Sequence, residues 1–259
     1  MGSNSDEFQC ACAADGESYN GSACLFANWL PTTVPALGGR AVETEDDMAA
    51  VMVHALGVES LPPSAWATAL ALYPATRTTT TGAKEVRRAV AAVDRVSAML
   101  VDSVWIGHCG TARAAAALAS HNHSNIWLYH FAVPAGTSGK TPHFSEVQYV
   151  FGHCAAAGYP TCARPEAGAQ AVSDWMMAAW ASVARDGAPT AGAAGRDHAA
   201  ATGWPRYDPD NGAENLRIDF EMSLEGEYRA EYCSFWEDLQ LQLRKENLHG
   251  RIYQKQQKE

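Results

Sequence analysis

Apolar residues recur every three or four positions in several stretches of the chain, and this spacing predicts amphipathic helices. Residues 46–56 form the first such stretch and residues 61–74 the second, in which Ser64 is the expected N-cap and Pro74 the expected stop. After a Thr-rich turn, the helical period resumes over residues 83–100. This middle third of the chain is therefore predicted to be helical.

The clearest helical pattern covers residues 171–187, "AVSDWMMAAWASVARDG". Its apolar residues fall on one face, Gly187 is the expected C-cap, and Pro189 prevents continuation of the helix. A closing amphipathic helix is expected from about Glu227. The last residues, 244–259, are polar and are expected to form a solvated tail.

Two stretches have the composition of strands. Residues 125–131, "NIWLYHF", are rich in aromatic and branched side chains, and a polar segment and a Gly-rich segment flank them. Residues 216–220, "LRIDF", form a second short candidate. Helices alternating with a few strands indicate the α/β class, with one domain over residues 1–243.

Composition and charge exclude several partners. The chain has 259 residues, of which 47% are apolar, so it can bury a sizeable core. Its net charge of -10 argues against nucleic acid or anionic lipid as a partner, because both select clustered Lys and Arg. No apolar run is long enough to span a bilayer.

The seven cysteines contain no CxxC pair, so a zinc ribbon or a thioredoxin-like dithiol does not fit, and disulfides fit better. Sequons at Asn20 and Asn122 would be glycosylated in a secretory compartment. Both features predict a secreted or luminal protein, with a targeting segment outside this sequence. No regular spacing of His and Cys predicts a metal site, and no other cofactor is expected.

Six motifs, in order, resemble the type-B carboxylesterase and cholinesterase family. "GSNSDE" resembles the loop that carries the family's acidic residue, "WLYHF" the strand before its catalytic histidine, and "HFSEVQYVFG" the histidine loop. "SDWMMAAWASVARDGAPT" is similar to the helix that follows. "WPRYD" and "CSFWEDL" are similar to the family's closing turn and terminal helix.

The resemblance implies the C-terminal portion of an α/β-hydrolase fold, rich in helices and with few strands, acting on a small-molecule ester. It assigns the acid to Glu7, the general base to His143 and a structural acid to Glu146. It also implies that the N-terminal half of the sheet is missing, with the strand-to-helix elbow of G-x-S-x-G form that carries the serine. No such elbow occurs in this sequence, so the chain is expected to be inactive by itself.

The resemblance also bears on the cysteines. Cys109 and Cys233 lie in motifs like those of the family's partnered pair, which predicts a disulfide between them. Cys154 and Cys162 are expected to form a separate local pair. The oligomeric state is left open.

Two departures from the family pattern bear on the geometry of the expected site. Phe8 and Phe144 stand where the family usually has glycine after the acid and after the histidine, and glycine permits turns that phenylalanine adopts less freely. Ser18, in "GESYNG", follows the acid instead of preceding it, so it is a poor nucleophile candidate. The alternatives to an esterase are a non-catalytic, cholinesterase-like binding or adhesion module, and a self-sufficient small α/β domain.

Overall fold

The computed structural model describes residues 2–4, 34–81, 84–103, 107–121, 125–134, 141, 145–153, 167–189 and 203–256. The helices are α1 (Glu45–Leu56), α2 (Pro63–Leu72), α3 (Ala92–Ser103), α4 (His108–Ser120), α5 (Val147–Val150), α6 (Ala167–Asp186) and α7 (Ala230–Gln256). The strands are β1 (Gly2–Asn4), β2 (Thr76–Thr81), β3 (Lys84–Ala89), β4 (Tyr129–Phe131), β5 (Asn215–Ile218) and β6 (Ser223–Glu225). This is a helix-rich α/β chain with few strands, as predicted.

The chain divides into two compact units. The first comprises Met1–Ala27 and Trp105–Tyr228, and the second comprises Asn28–Val104 and Arg229–Glu259. Each unit therefore combines segments that are far apart in the sequence.

A four-stranded sheet in the order β1-β4-β5-β6 organises the first unit. Strands β1, β4 and β5 are parallel to one another, and β6 runs antiparallel to β5. Phe131, Leu216 and Ile218 of the sheet are buried together with Met176 of α6. Because α6 buries the apolar face predicted from its sequence, it covers the sheet and shields it from water.

The second unit is built around α1, α3 and α7. A capping box starts α1, since the Thr44 side chain accepts a hydrogen bond from the Asp47 backbone and the Asp47 carboxylate accepts one from the Thr44 backbone. The buried Asp47 carboxylate also pairs with Arg40. The Glu43 backbone N–H donates to it as well, and although burial opposes the effect, these contacts lower the pKa of Asp47 to about 2.

A buried polar network ties together three segments of the second unit. The Tyr73 hydroxyl donates to the Asp102 carboxylate at 2.5 Å, and the indole N–H of Trp236 donates to the same hydroxyl at 2.8 Å. Arg229 makes a two-nitrogen contact with Asp102, with its Nε at 2.8 Å. This network holds the start of α7 against α3 and against Tyr73, the residue that follows α2.

The helix predicted over residues 83–100 is wrong in its first half. Lys84–Ala89 is strand β3, paired antiparallel with the Thr-rich β2, and the helix begins only at Ala92. The pairing continues one step further, since the Val90 N–H donates to the Ala75 carbonyl at 2.9 Å. Pairing with the neighbouring strand β2 has overridden the helix propensity of Lys, Glu, Arg and Ala.

Smaller differences occur at element ends. Helix α2 begins at Pro63 with Pro62 as its N-cap, so Ser64 is not the cap. Proline suits the first helical position, here Pro63, because the first helical N–H groups have no partner within the helix. Strand β4 covers only the last three residues of the predicted strand, and α7 continues to Gln256, into the stretch expected to be a tail.

Candidate active site

The carboxyl ends of β1 and β4 lie side by side at one edge of the sheet. Their register pairs Gly2 with Tyr129, Ser3 with His130 and Asn4 with Phe131. In parallel sheets with helices on their faces, this edge is where ligands bind. Glu7 follows β1 by three positions and His143 follows β4 by twelve, although both lie outside the described residues.

The chain is anchored on both sides of position 143. Two residues earlier, the buried Thr141 hydroxyl donates to the Val133 carbonyl at 3.2 Å, just past the end of β4. Two residues later, Ser145 is buried and its carbonyl accepts a hydrogen bond from the Gln148 side chain at 3.1 Å. Thr141 is therefore held at the sheet edge, and Ser145 is held at the start of α5.

Glu146 is the N-cap residue of α5. Its carbonyl accepts hydrogen bonds from the Tyr149 and Val150 backbones at 2.9 and 3.0 Å, which start the helix. These contacts involve its backbone, so the structural role expected of its carboxylate stays a prediction.

The end of α5 packs closely on α6. The Ser173 hydroxyl, fully buried, donates to the Tyr149 carbonyl at 2.8 Å. Gly152 follows with φ of +69°, and a Cβ atom there would lie 2.7 Å from the Met177 sulfur. The positive φ favours glycine at this position, and a larger residue would also require the end of the Met177 side chain to shift.

A second polar cluster, which the sequence patterns do not reveal, lies on one face of the same sheet. The imidazole of His130, 1% exposed, has its Nδ1 atom 2.9 Å from a carboxylate oxygen of Glu225. Asn215 donates to that oxygen at 3.2 Å, and Arg217 lies 3.4 Å from the other. We call these four residues the His130 cluster.

Electrostatics within the His130 cluster favour an ionised carboxylate. Burial opposes ionisation and raises the pKa of Glu225, but the contact with His130, the Asn215 amide and the positive charge of Arg217 outweigh it. The pKa of Glu225 is therefore below its ordinary value. The cluster links β4 to β6 across β5, so it stabilises the strand that leads to the His143 loop.

Aromatic stacking completes the environment of His130. Tyr228 stacks on the imidazole with ring centroids 4.2 Å apart, and His108 meets the same tyrosine edge-on at 4.6 Å. Glu227, next to Tyr228, has a φ of +50°, a left-handed conformation that is strained for a residue with a side chain. The sequence signal for this arrangement is weak, because His130 and Glu225 are 95 positions apart.

One of the two predicted disulfides lies among the described residues. Cys109, near the start of α4, and Cys233, in the first turn of α7, are both disulfide-bonded, which confirms the predicted pair. Cys154, Cys162, Asn20 and Asn122 lie outside the described residues.

The described residues contain neither a membrane-spanning helix nor a group of metal ligands. No helix there is both long and apolar enough to cross a bilayer. Within the same ranges, no three His, Cys, Asp or Glu side chains are grouped so that they could hold a metal ion.

Comparison with solved structures identifies the fold. EstA of Aspergillus niger superimposes with a TM-score of 0.58 and 17% identity, over 93% of this chain and 39% of EstA. PNB esterase gives TM-scores of 0.51 and 0.50 in two structures, with 21% and 20% identity, over 76% of this chain and 34% of the esterase. The likeness indicates the α/β-hydrolase fold, and the chain spans about a third to two fifths of these proteins.

The sequence comparisons identify the family. Among curated proteins, none matches the sequence. The model of the carboxylesterase family matches residues 43–236, which is well over half of the chain. The chain therefore belongs to the carboxylesterase family.

Proposed function

We propose that the chain supplies the acid, Glu7, and the general base, His143, of a carboxylic ester hydrolase. The observation that carries the proposal is the parallel pairing of β1 with β4, which sends both segments from the same edge of the sheet. Membership of the carboxylesterase family supports the reaction class.

Chain lengths are compatible with a contact between the two residues. Extended chain covers at most about 3.5 Å per residue, so Glu7 lies within about 10 Å of the end of β1. His143 lies within about 7 Å of Thr141, which is tied to Val133 at the neighbouring strand end. These chain lengths therefore permit both residues to reach the same edge, as the proposed carboxylate–imidazole hydrogen bond requires.

In the proposed reaction, His143 takes the proton of a serine hydroxyl as that oxygen attacks the ester carbonyl. Glu7 stays ionised, orients the imidazole and stabilises its protonated form. His143 then gives the proton to the departing alcohol, leaving an acyl-serine. Water hydrolyses the acyl-serine in a second cycle, with His143 again acting as base and then acid.

The serine is proposed to come from sequence outside this chain. The chain contains no G-x-S-x-G elbow. It also covers only 39% of EstA, so a protein of that size has room for the elbow elsewhere. The chain alone is therefore expected to lack esterase turnover.

The test has two stages. Purified chain is assayed with p-nitrophenyl acetate against an equal concentration of free imidazole, and no excess rate is expected. The complete transcript is then recovered and its product assayed with His143→Ala, Glu7→Gln and the control His153→Ala, an exposed histidine nearby.

In the complete protein, His143→Ala should lower kcat/KM by about 10³-fold or more, and Glu7→Gln should lower kcat with little change in KM. His153→Ala should retain activity. Full activity in His143→Ala would refute the assignment of the base. Turnover by the chain alone that survives His143→Ala would refute the external nucleophile.

One sequence feature favours a second function. Phe8 and Phe144 replace the glycines expected after the acid and the histidine. A site distorted at both turns would suit a non-catalytic, cholinesterase-like binding or adhesion module. A complete transcript in which another residue replaces the serine of the elbow would support this second function and exclude catalysis.

We also propose that the protein is secreted or luminal and glycosylated at Asn20 and Asn122. The Cys109–Cys233 disulfide supports an oxidising compartment, where such bonds persist. Expression in a eukaryotic secretory host, with glycosidase digestion of the wild type and of Asn20→Gln and Asn122→Gln, tests both sites. A mass unchanged by the glycosidase would contradict glycosylation.

A further inference from the structure

A turn over residues 208–213 leads into β5. The backbone N–H groups of Asn211 and Ala213 both donate to the Asp208 carbonyl, at 3.3 and 3.0 Å. Gly212 lies between these two donors with a φ of +80°, in the left-handed region that favours glycine. The turn therefore holds the Asn211–Gly212 pair in one conformation, and both residues are exposed.

The two groups that can react with each other in this pair make no hydrogen bond among the described residues. The Asn211 side-chain amide has no partner there, and the Gly212 N–H donates to no acceptor in the same ranges. Around the place of a Cβ atom on Gly212, the nearest group is the Glu214 side chain at 3.8 Å. The Gly212 nitrogen can thus approach the Asn211 amide without first breaking a contact.

Asn215, in the strand that follows, shows the opposite arrangement. Its side chain is buried and donates to a Glu225 carboxylate oxygen at 3.2 Å. The nitrogen that would attack it belongs to Leu216, whose N–H donates to the Leu128 carbonyl at 3.0 Å. Ring closure at Asn215 therefore requires both hydrogen bonds to break, whereas at Asn211 no described bond has to break.

We propose that Asn211 is a site of spontaneous deamidation, which places isoaspartate in the turn. The Gly212 nitrogen forms a bond to Cγ of Asn211, and the bond between Cγ and the amide nitrogen breaks. Ammonia leaves with the proton that the Gly212 nitrogen gives up, and a cyclic imide remains. Glycine favours this step because it has no side chain to obstruct the approach.

Water then opens the imide. Addition of water at Cγ gives aspartate, and addition at the former backbone carbonyl gives isoaspartate, in which the main chain runs through Cβ and Cγ. Either product exchanges an amide for a carboxylate and adds one negative charge. Neither the site nor the reaction depends on the proposed catalytic residues.

Isoaspartate in this turn would disturb the His130 cluster. The Gly212 carbonyl accepts a hydrogen bond from the Glu227 backbone at 3.2 Å, and Glu227 has the left-handed φ of +50°. Tyr228, the next residue, stacks on the His130 imidazole. The extra main-chain atom lengthens the turn by about 1.5 Å, one carbon–carbon bond, which is enough to break a hydrogen bond already at the long end of the range.

The test follows the purified full chain during storage at mildly alkaline pH, where the attacking nitrogen loses its proton more readily. Trypsin releases residues 207–217 as one peptide, because Arg206 and Arg217 bound it. This peptide contains both Asn211 and Asn215, so fragmentation in a mass spectrometer compares the two sites in one molecule. Chromatography separates the asparagine, aspartate and isoaspartate forms.

Asn211 should convert at least about tenfold faster than Asn215, the factor for one hydrogen bond to a charged group. The rate in the folded chain should lie within about tenfold of the rate in a free 207–217 peptide. Asn211→Gln should block the reaction, because the longer side chain closes a larger ring more slowly. This variant should fold normally, since the side chain it replaces is exposed.

Conversion about a hundredfold slower in the folded chain than in the free peptide would overturn the proposal, because the turn would then protect the pair. Equal rates at Asn211 and Asn215 would also overturn it, since they would reflect unfolded chain.

Thermal midpoints test the link to Glu227. Freshly prepared Asn211→Asp adds the charge without the extra main-chain atom, and aged Asn211→Gln controls for other damage during storage. The aged wild type should have the lowest midpoint of the three. A midpoint equal to that of Asn211→Asp would refute the loss of the Gly212–Glu227 hydrogen bond.

Discussion

Replacing Tyr73 by phenylalanine removes one oxygen atom that satisfies two buried polar groups. The hydroxyl donates to Asp102 at 2.5 Å and accepts from the indole N–H of Trp236 at 2.8 Å. Tyr73, Asp102 and Trp236 are 5%, 2% and 1% exposed, so water cannot readily replace the lost oxygen. Burial and the negative charge of Asp102 also raise the pKa of Tyr73 above its ordinary value, which keeps the hydroxyl a donor.

The expected loss of stability follows from both contacts. A hydrogen bond to a charged group contributes about 1.5–3 kcal/mol, and a buried donor left without a partner costs about 1–3 kcal/mol. Arg229 still neutralises Asp102 after the change, which reduces the first contribution. We therefore expect Tyr73→Phe to lower the free energy of unfolding by about 3 kcal/mol, a large share of the stability of a typical domain.

The assay is urea denaturation followed by tryptophan fluorescence and circular dichroism. The control is Tyr232→Phe, because this ring packs against Tyr73 at 5.2 Å and beneath Arg229 at 3.9 Å, contacts that phenylalanine retains. A loss of under about 1 kcal/mol in Tyr73→Phe, or equal losses in both variants, would show that the network contributes little to the stability of the fold.

Further predictions concern pH and backbone conformation. Because the pKa of Asp47 falls from 3.8 to about 2 on folding, its ionised form stabilises the fold above pH 4, and this contribution is lost between pH 4 and pH 2. Asp47→Asn should thus lower the thermal midpoint at pH 7 but not at pH 2, and an equal loss at both would contradict the argument. Gly152→Ala should destabilise by more than Gly187→Ala, because both glycines have positive φ but only Gly152 has the Met177 sulfur within 2.7 Å of a Cβ atom. Equal midpoints for these two variants would show that Met177 moves aside freely.

Local patterns predict some elements well. Helix α6 is predictable because its apolar face, its C-capping Gly187 and the following proline agree with one another. The strand leading to the His143 loop is also found from sequence, although the paired part is only Tyr129–Phe131. Sequence predicts both because the signals lie within one short segment.

Pairing between separate segments explains what sequence does not predict. Lys84–Ala89 has helix-favouring residues, and only its alignment with β2 makes it a strand. In the sequence His130 is an ordinary strand residue. Only the fold places Glu225, 95 positions later, beside it. Glu7 and His143 remain predictions from the family resemblance, while the parallel pairing of β1 and β4 supplies the physical reason for expecting them together.

The disulfide between Cys109 and Cys233 keeps the chain covalently connected after cleavage of a peptide bond between them. If a protease cuts any peptide bond between the two cysteines, both pieces stay covalently joined through the sulfur atoms. Such nicked protein migrates as one species on a denaturing gel until a reductant is added, and as two afterwards. Covalent integrity of any preparation used in these assays therefore has to be judged on reduced samples.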